Sequence, residues 1–286
     1  MMTRSKATVI GLSAILMWSL LALLTIGSAP VPPFQLNALC FGVGGTIGLI
    51  WTARRGLGVL RSVSWKVYAF GTAGLFGYHF LYFTAFRLGP NAATGLIAYL
   101  WPLFIVLFSG FLPGESLTKR HVFGAVIAMA GAAVIVLGAS QDTTTTNLPA
   151  LMLAFLCALT WTAYSVISRR LGEVPTETVT VFCLATAVLS LIAHVMLEDT
   201  AWPGTPYGWA SVLALGIGPV GLAFFTWDIG MKKGDIQLLG VASYAAPLLS
   251  TAALIAAGIT APSYAIIVAA VMIASGAALA ARASSR

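Results

Sequence analysis

Apolar residues run through this chain in long blocks, separated by short stretches that hold nearly all of its charges. A helix that crosses a bilayer needs roughly 20 mostly apolar residues. Ten such blocks lie near 6–27, 34–53, 66–86, 91–112, 120–138, 148–169, 176–196, 208–230, 236–258 and 262–281. The blocks lack two-residue alternation and are rich in Gly and Ala, which predicts helices and not barrel strands. The expected fold is an all-α membrane protein. The first block follows Arg4 and Lys6 as a secretory leader's would. Its apolar run is longer than the roughly 7–15 residues of a leader core, so it is read as a retained helix.

The pattern occurs twice. The run YFTAFRLGPNAATGLIAYLWPLFIVLF, Tyr82 to Phe108, aligns with WDIGMKKGDIQLLGVASYAAPLLSTAA, Trp227 to Ala253, at an offset of 145. That alignment sets Tyr99 against Tyr244, Pro102 against Pro247 and Gly89 against Gly234, while Trp18-Ser19 matches Trp161-Thr162 at an offset of 143. With five spans per copy, an odd number, the second copy must enter the bilayer upside down. The predicted architecture is ten transmembrane helices as two inverted five-helix repeats, residues 1–138 and 148–286, joined by the polar linker ASQDTTTTN at 139–147. Inverted repeats are the architecture of alternating-access carriers.

Charge fixes an orientation independently. With the N-terminus cytoplasmic, 14 of the 15 Lys and Arg fall inside and only Arg87 outside, as the positive-inside rule requires. The net charge of +7 is then the topology signal itself and implies no nucleic-acid partner. Only 8% of residues are charged and 59% are hydrophobic, against about 25% charged in soluble domains. Cys40, Cys157 and Cys183 all lie inside predicted spans without CxxC spacing, so they read as small packing residues. Gly44 and Gly48, the row Gly71, Gly74 and Gly77, and Ala270, Ala274 and Ala278 form small-residue stripes that let helices approach closely. Intramolecular packing is the expected use; the oligomeric state stays open.

Catalysis finds no footing. Neither HExxH nor GxSxG occurs, and Asp228 alone of the eight acids lies within a span. No enzyme activity, metal or cofactor is expected. Mid-span positions instead carry aromatic rings, several with polar tips: Trp18, Tyr78, His79, Tyr82, Tyr99, Trp101, Trp161, Phe224 and Tyr244. Tyr and Trp normally collect at the membrane interfaces, so polar tips at midplane depth ask for a cavity or bonded partners. These nine residues are the expected substrate wall. Pro102 and Pro247 are expected hinges, since each should free the carbonyl four residues earlier, Ala98 and Ser243. His79 is the mid-span candidate for a proton carrier and Asp228 a poorer one, with exchange and facilitated diffusion left open. His121 and His194 lie near helix ends and are read as solvated.

The ten-helix inverted repeat, the Trp in the first helix of each copy and the Tyr-x-x-Pro of helices four and nine resemble the drug/metabolite transporter superfamily. Within it the chain is similar to the EamA group, and nearest to its aromatic amino-acid exporters. The run YHFLYFTAFRLGPNAATGLIAYLWPLFIVLF, Tyr78 to Phe108, carries most of the likeness. The resemblance implies export of aromatic and other neutral amino acids across a bacterial inner membrane, through one central cavity, with both termini cytoplasmic. The small multidrug branch is known for a Glu in its first helix, and residues 7–27 hold no acid. Efflux of toxic or cationic molecules is the alternative within transport; a membrane enzyme or scaffold is the alternative outside it.

Overall fold

A computed structural model describes residues 2–89, 92–139 and 147–284. Its elements, in chain order, are α1 (Arg4–Trp18), α2 (Leu21–Gly27), α3 (Pro33–Arg55), the single turn α4 (Gly58–Arg61), α5 (Trp65–Leu88), α6 (Ala92–Ala98), α7 (Trp101–Ser109) and α8 (Lys119–Ala139). Then follow α9 (Leu148–Arg170), α10 (Thr178–Leu197), α11 (Pro206–Ile217), a π turn (Gly218–Leu222), α12 (Ala223–Lys233), α13 (Ile236–Ala242), α14 (Ala245–Ala256) and α15 (Tyr264–Ser284). Apart from its end residues, the expected linker 139–147 lies outside the described residues.

Eight stretches among the described residues are long and apolar enough to cross a membrane: α1 with α2, α3, α8, α9, α10, α11 through α12, α13 with α14, and α15. The molecule is an all-α, multi-pass membrane bundle. α5 has 24 residues, about 36 Å of helix, but its Tyr, Trp and His lower its hydropathy. Local chemistry sets several ends. Asp235 Oδ1 accepts the Leu238 amide at 2.9 Å to start α13, and Thr205 Oγ1 accepts the Gly208 amide at 3.1 Å to start α11. Arg54-Arg55, Arg169-Arg170 and Lys232-Lys233 occupy the last turns of α3, α9 and α12, where cations meet the negative end of the helix dipole.

Three blocks that read as continuous are broken. The gaps fall at Ser19–Leu20, Tyr99–Leu100 and Ser243–Tyr244. The last two lie just ahead of Pro102 and Pro247, which lack the amide a continuous helix would use. Pro219 sits in the π turn for the same reason. The first break has no proline; there the Ser19 hydroxyl turns back onto the Leu16 carbonyl at 2.6 Å.

Packing joins helices far apart in sequence. The pairs include α8 with α15, α3 with α10, α5 with α9, α1 with α12 and α7 with α13. Glycines permit the closest approaches: Gly44 faces Gly221, Gly11 faces Gly230, and Gly124 faces the Gly276 carbonyl. Gly71 and Gly74 leave room for the Phe182 and Tyr164 rings. The alanine stripe does not act as its spacing suggested. Ala274 and Ala278 are exposed, whereas Ala269, Ile273, Gly276 and Ala280 are buried, so the face one position earlier meets α8. A side chain at Gly124 would put its Cβ 2.6 Å from the Gly276 oxygen. Gly124→Leu is therefore expected to cost about 1–3 kcal/mol, read as a lowered melting temperature in detergent, whereas Ala274→Leu is expected to leave it unchanged.

The α3 and α10 pair is held along its whole length. Asn37 Nδ2 donates to Ser190 Oγ at 2.7 Å, Thr52 and Thr180 hydroxyls meet at 3.1 Å, and Arg55 pairs with Glu177 at 3.1 Å. At the other end Glu198 accepts the Phe34 amide at 3.0 Å, the Gln35 amide at 3.1 Å and Arg87 Nη2 at 2.6 Å. Both histidines read as solvated are in fact buried. His194 is drawn in by Glu198, 3.0 Å from Nδ1, and by Thr200, 2.9 Å from Nε2, and His121 Nδ1 accepts the Thr118 amide at 3.2 Å.

Candidate functional site

The end of α1 delivers Trp18 into the middle of the bundle, where rings from three other helices converge on it. Its ring centroid lies 6.2 Å from Trp101 at the start of α7, 5.8 Å from Trp161 on α9, and 6.1 and 5.0 Å from Phe224 and Trp227 on α12. Tyr78 of α5 closes the box at 5.1 Å from Trp161. Most of these contacts are edge-on or tilted, the arrangements ring quadrupoles favour.

Two of the polar tips are engaged, one by backbone at a helix irregularity and one by a side chain. Trp18 Nε1 donates to the Pro219 carbonyl of the π turn at 3.0 Å, and Trp227 Nε1 donates to Ser165 Oγ at 3.1 Å. The Thr162 hydroxyl lies 3.3 Å from the Trp101 carbonyl, just past the α6–α7 break. The carbonyl expected to be freed by Pro247 is not free: Ser243 accepts the Ala246 amide at 3.1 Å in a tight turn.

Burial divides the nine expected wall residues. Trp18, Tyr78, His79, Tyr82 and Tyr99 are half-buried, whereas Trp101, Trp161, Phe224 and Tyr244 are buried. Tyr244 lies apart from the box; among the described residues its ring contact is with Tyr99, whose ring is 6.3 Å from Tyr244 and 6.1 Å from Trp101. Pro102 is buried and Pro247 half-buried. Rings that the sequence reading did not select also belong to the cluster, among them Tyr164, 5.2 Å from Trp161. Trp227 is fully buried against Trp18 and Trp161, and its place three residues after Phe224 is the helical spacing that could have revealed it. Phe41, stacked on Phe224 at 5.2 Å, comes from α3 and had no such signal.

The two titratable candidates differ in how far they are engaged. His79 Nδ1 is 2.7 Å from the Leu75 carbonyl, and since a carbonyl only accepts, Nδ1 carries the hydrogen. Its ring edges meet Phe41 at 5.1 Å and Phe224 at 5.9 Å. Asp228 is buried against Lys232 Nζ at 2.9 Å and accepts from the Thr176 hydroxyl at 2.8 Å.

One face of the bundle is sealed by charge. On the face that carries Arg4, Glu115 accepts from Arg4 Nη2 at 3.1 Å and from Arg169 Nη2, and Arg4 lies 3.7 Å from Asp235. Arg169 also donates to the Gly234 carbonyl at 2.9 Å, and the Asp235 amide donates to Thr8 Oγ1 at 2.8 Å. Spans from both ends of the chain are thereby tied beneath the aromatic box. Above it, Tyr82, Phe83 and Phe86, in the last two turns of α5, and Tyr99, at the α6–α7 break, are half-buried.

The profile of the EamA-like transporter family matches residues 5–137 and again 148–282. The chain belongs to the EamA-like transporter family. Among curated relatives, an aromatic amino acid exporter YddG of Ancylobacter novellus is 54% identical over 98% of both chains. Exporters of the same name from Salmonella typhimurium and Escherichia coli are 29% and 28% identical, over 88% of each chain. A crystal structure 52% identical in sequence superposes with a TM-score of 0.93, covering 99% of this chain and 100% of the other. As an EamA-like transporter the protein moves small molecules across a lipid bilayer and is not an enzyme. Among the described residues, no group of three or more His, Cys, Asp or Glu is placed to hold a metal.

Proposed function

We propose that this transporter exports aromatic and other neutral amino acids across a bacterial inner membrane by alternating access, with both termini in the cytoplasm. The observation that carries the reading is the central box of Trp18, Tyr78, Trp101, Trp161, Phe224 and Trp227, built from rings and backbone carbonyls without a charged side chain among its members. Such a site suits a zwitterion with an apolar side chain, because indole N–H, phenol O–H and freed carbonyls can meet its carboxylate and ammonium. The three relatives named as aromatic amino acid exporters support the same substrate class. The half-buried Trp18, Tyr78, His79, Tyr82 and Tyr99 form the accessible wall, Trp101, Trp161 and Phe224 its floor, and Pro102 and Pro247 the flex points.

Ten helices arranged as two inverted repeats, 1–138 and 148–286, are part of this proposal. The double match of the family profile supports it. So does the helix pairing: exchanging each span for its partner five spans away turns α1 with α12 into α9 with α5, and leaves the other three pairs as they are. The ionic seal then lies on the cytoplasmic side. The positions 145 residues from Glu115 and Asp235 are Thr260 and Pro90, so the repeat does not copy this cluster to the outer side, where the ion pair is instead Arg87 with Glu198. A cytoplasmic seal below and half-buried rings above describe an outward-facing carrier. The ion pair of Asp228 with Lys232 speaks against a proton carried by Asp228.

Purified protein in liposomes should exchange labelled for unlabelled tryptophan or phenylalanine, and should exchange a neutral aliphatic amino acid more weakly. Exchange of an organic cation with none of any amino acid would replace this reading by cation efflux. The absence of all exchange would end the carrier reading.

A further inference from the structure

The hydroxyl of Tyr244 is not presented to the aromatic box; it accepts the backbone amide of Leu103 at 3.1 Å. That amide is the third of α7, one of the first-turn donors that a helix cannot satisfy internally. The break at Tyr99–Leu100 creates the orphan, and a tyrosine from the other half of the chain caps it. Tyr244 is fully buried in this role. The repeat offset of 145 turns the pair Tyr244 and Leu103 into Tyr99 and Leu248. α14 begins just after its own break, with Leu248 as its fourth residue, and among the described residues no side chain is bonded to the Leu248 amide. Tyr99 is half-buried, and among the described residues its hydroxyl makes no bond to the Leu248 amide. Symmetric sequence positions thus hold asymmetric environments: one cap is made and its mirror image is not.

We propose that Tyr99 and Tyr244 are reciprocal helix caps that exchange during transport. In the conformation described here Tyr244 caps α7, and in the oppositely facing conformation Tyr99 caps α14. The inference rests on the inverted-repeat, alternating-access reading. Under it the two halves swap environments, so Tyr99 gains the buried, bonded setting that Tyr244 gives up. Both tyrosines are positioning residues: each fixes where a broken helix starts, and so where Trp101 or Ala246 beside that start comes to lie.

Full-length protein in lipid nanodiscs, spin-labelled at the exposed positions Lys6 and Arg120 on the sealed face, reports the ratio of closed to open forms as a distance distribution. A single hydrogen bond supports about a fivefold shift in such a ratio. Tyr244→Phe should shift it about fivefold toward the form open on that face, Tyr99→Phe about fivefold the other way, and the double variant should return close to the starting ratio. A merely structural role for either hydroxyl would lower melting temperature without opposite shifts. Two distances with same-sign shifts, or with no shift, would overturn the exchange of caps alone. One unchanging distance in every variant and with added tryptophan would overturn the alternating-access reading and this proposal with it.

Discussion

Trp161→Ala is expected to abolish transport and weaken the fold together. The indole is 3% exposed and lies 5.1 Å from Tyr78, 5.2 Å from Tyr164, 5.8 Å from Trp18 and Phe224, and 6.2 Å from Trp101 and Trp227. Truncating a buried Trp costs about 3–5 kcal/mol, and here it also removes the common neighbour of the whole box. Tyr82→Ala makes the contrast. Tyr82 is half-buried at the rim, its ring 6.0 Å from Tyr78 and 4.6 Å from Phe86, so flux should fall strongly while stability changes by about 1 kcal/mol. Melting temperature in detergent and exchange in liposomes separate the two effects. Wild-type exchange by a folded Trp161→Ala variant would remove the box from the transport path.

Asp228→Asn should be nearly as damaging, through charge instead of packing. Asp228 and Lys232 have side chains 1% and 3% exposed and sit 2.9 Å apart, one turn along α12. Lys232 Nζ has one further partner, the Val174 carbonyl at 3.0 Å. Neutralising the acid strands a buried ammonium, which costs about 3–5 kcal/mol, whereas replacing both partners by apolar residues is often close to neutral. The double variant Asp228→Leu, Lys232→Leu is therefore expected to recover most of the melting temperature lost by Asp228→Asn. It also bears on energy coupling. If the recovered protein transports with an unchanged response to a pH gradient, Asp228 is a structural ion and not a proton carrier; loss of that response in a stable double variant would reverse the assignment.

The blocks of apolar residues and their repetition made the helical membrane fold legible, because span length and hydropathy are local properties of sequence. The breaks beside Pro102 and Pro247 were equally readable, since proline acts on its own helix. The break at Ser19–Leu20 was not, because a serine turning back onto Leu16 has no unique spacing. Small-residue periodicity found that α15 packs closely but chose the wrong face, as Ala274 and Gly276 are equally small and only α8 decides between them. His194 was misread because the acid that buries it, Glu198, collects partners from Phe34, Gln35 and Arg87, all more than a hundred residues away. The aromatic residues of the box other than Trp227 could be collected from sequence by depth. Their division into half-buried rim and buried floor could not, and neither could the separate engagement of Tyr244 with Leu103.

The polar ties along α3 and α10 bear on how the protein is made. Asn37 and Ser190 are 153 positions apart, and Thr52 and Thr180 are 128 apart. At a synthesis rate of about 5–20 residues per second, a span holding Asn37 waits on the order of ten seconds in the bilayer before its partner is translated. During that interval the Asn37 amide side chain sits in or beside hydrocarbon with no lasting partner, while the Thr52 hydroxyl keeps its bond to the Gly48 carbonyl at 2.8 Å. The early half of the chain is thus an unfinished surface throughout synthesis, open to the insertion machinery and to membrane proteases alike, until the seventh block arrives to cover it.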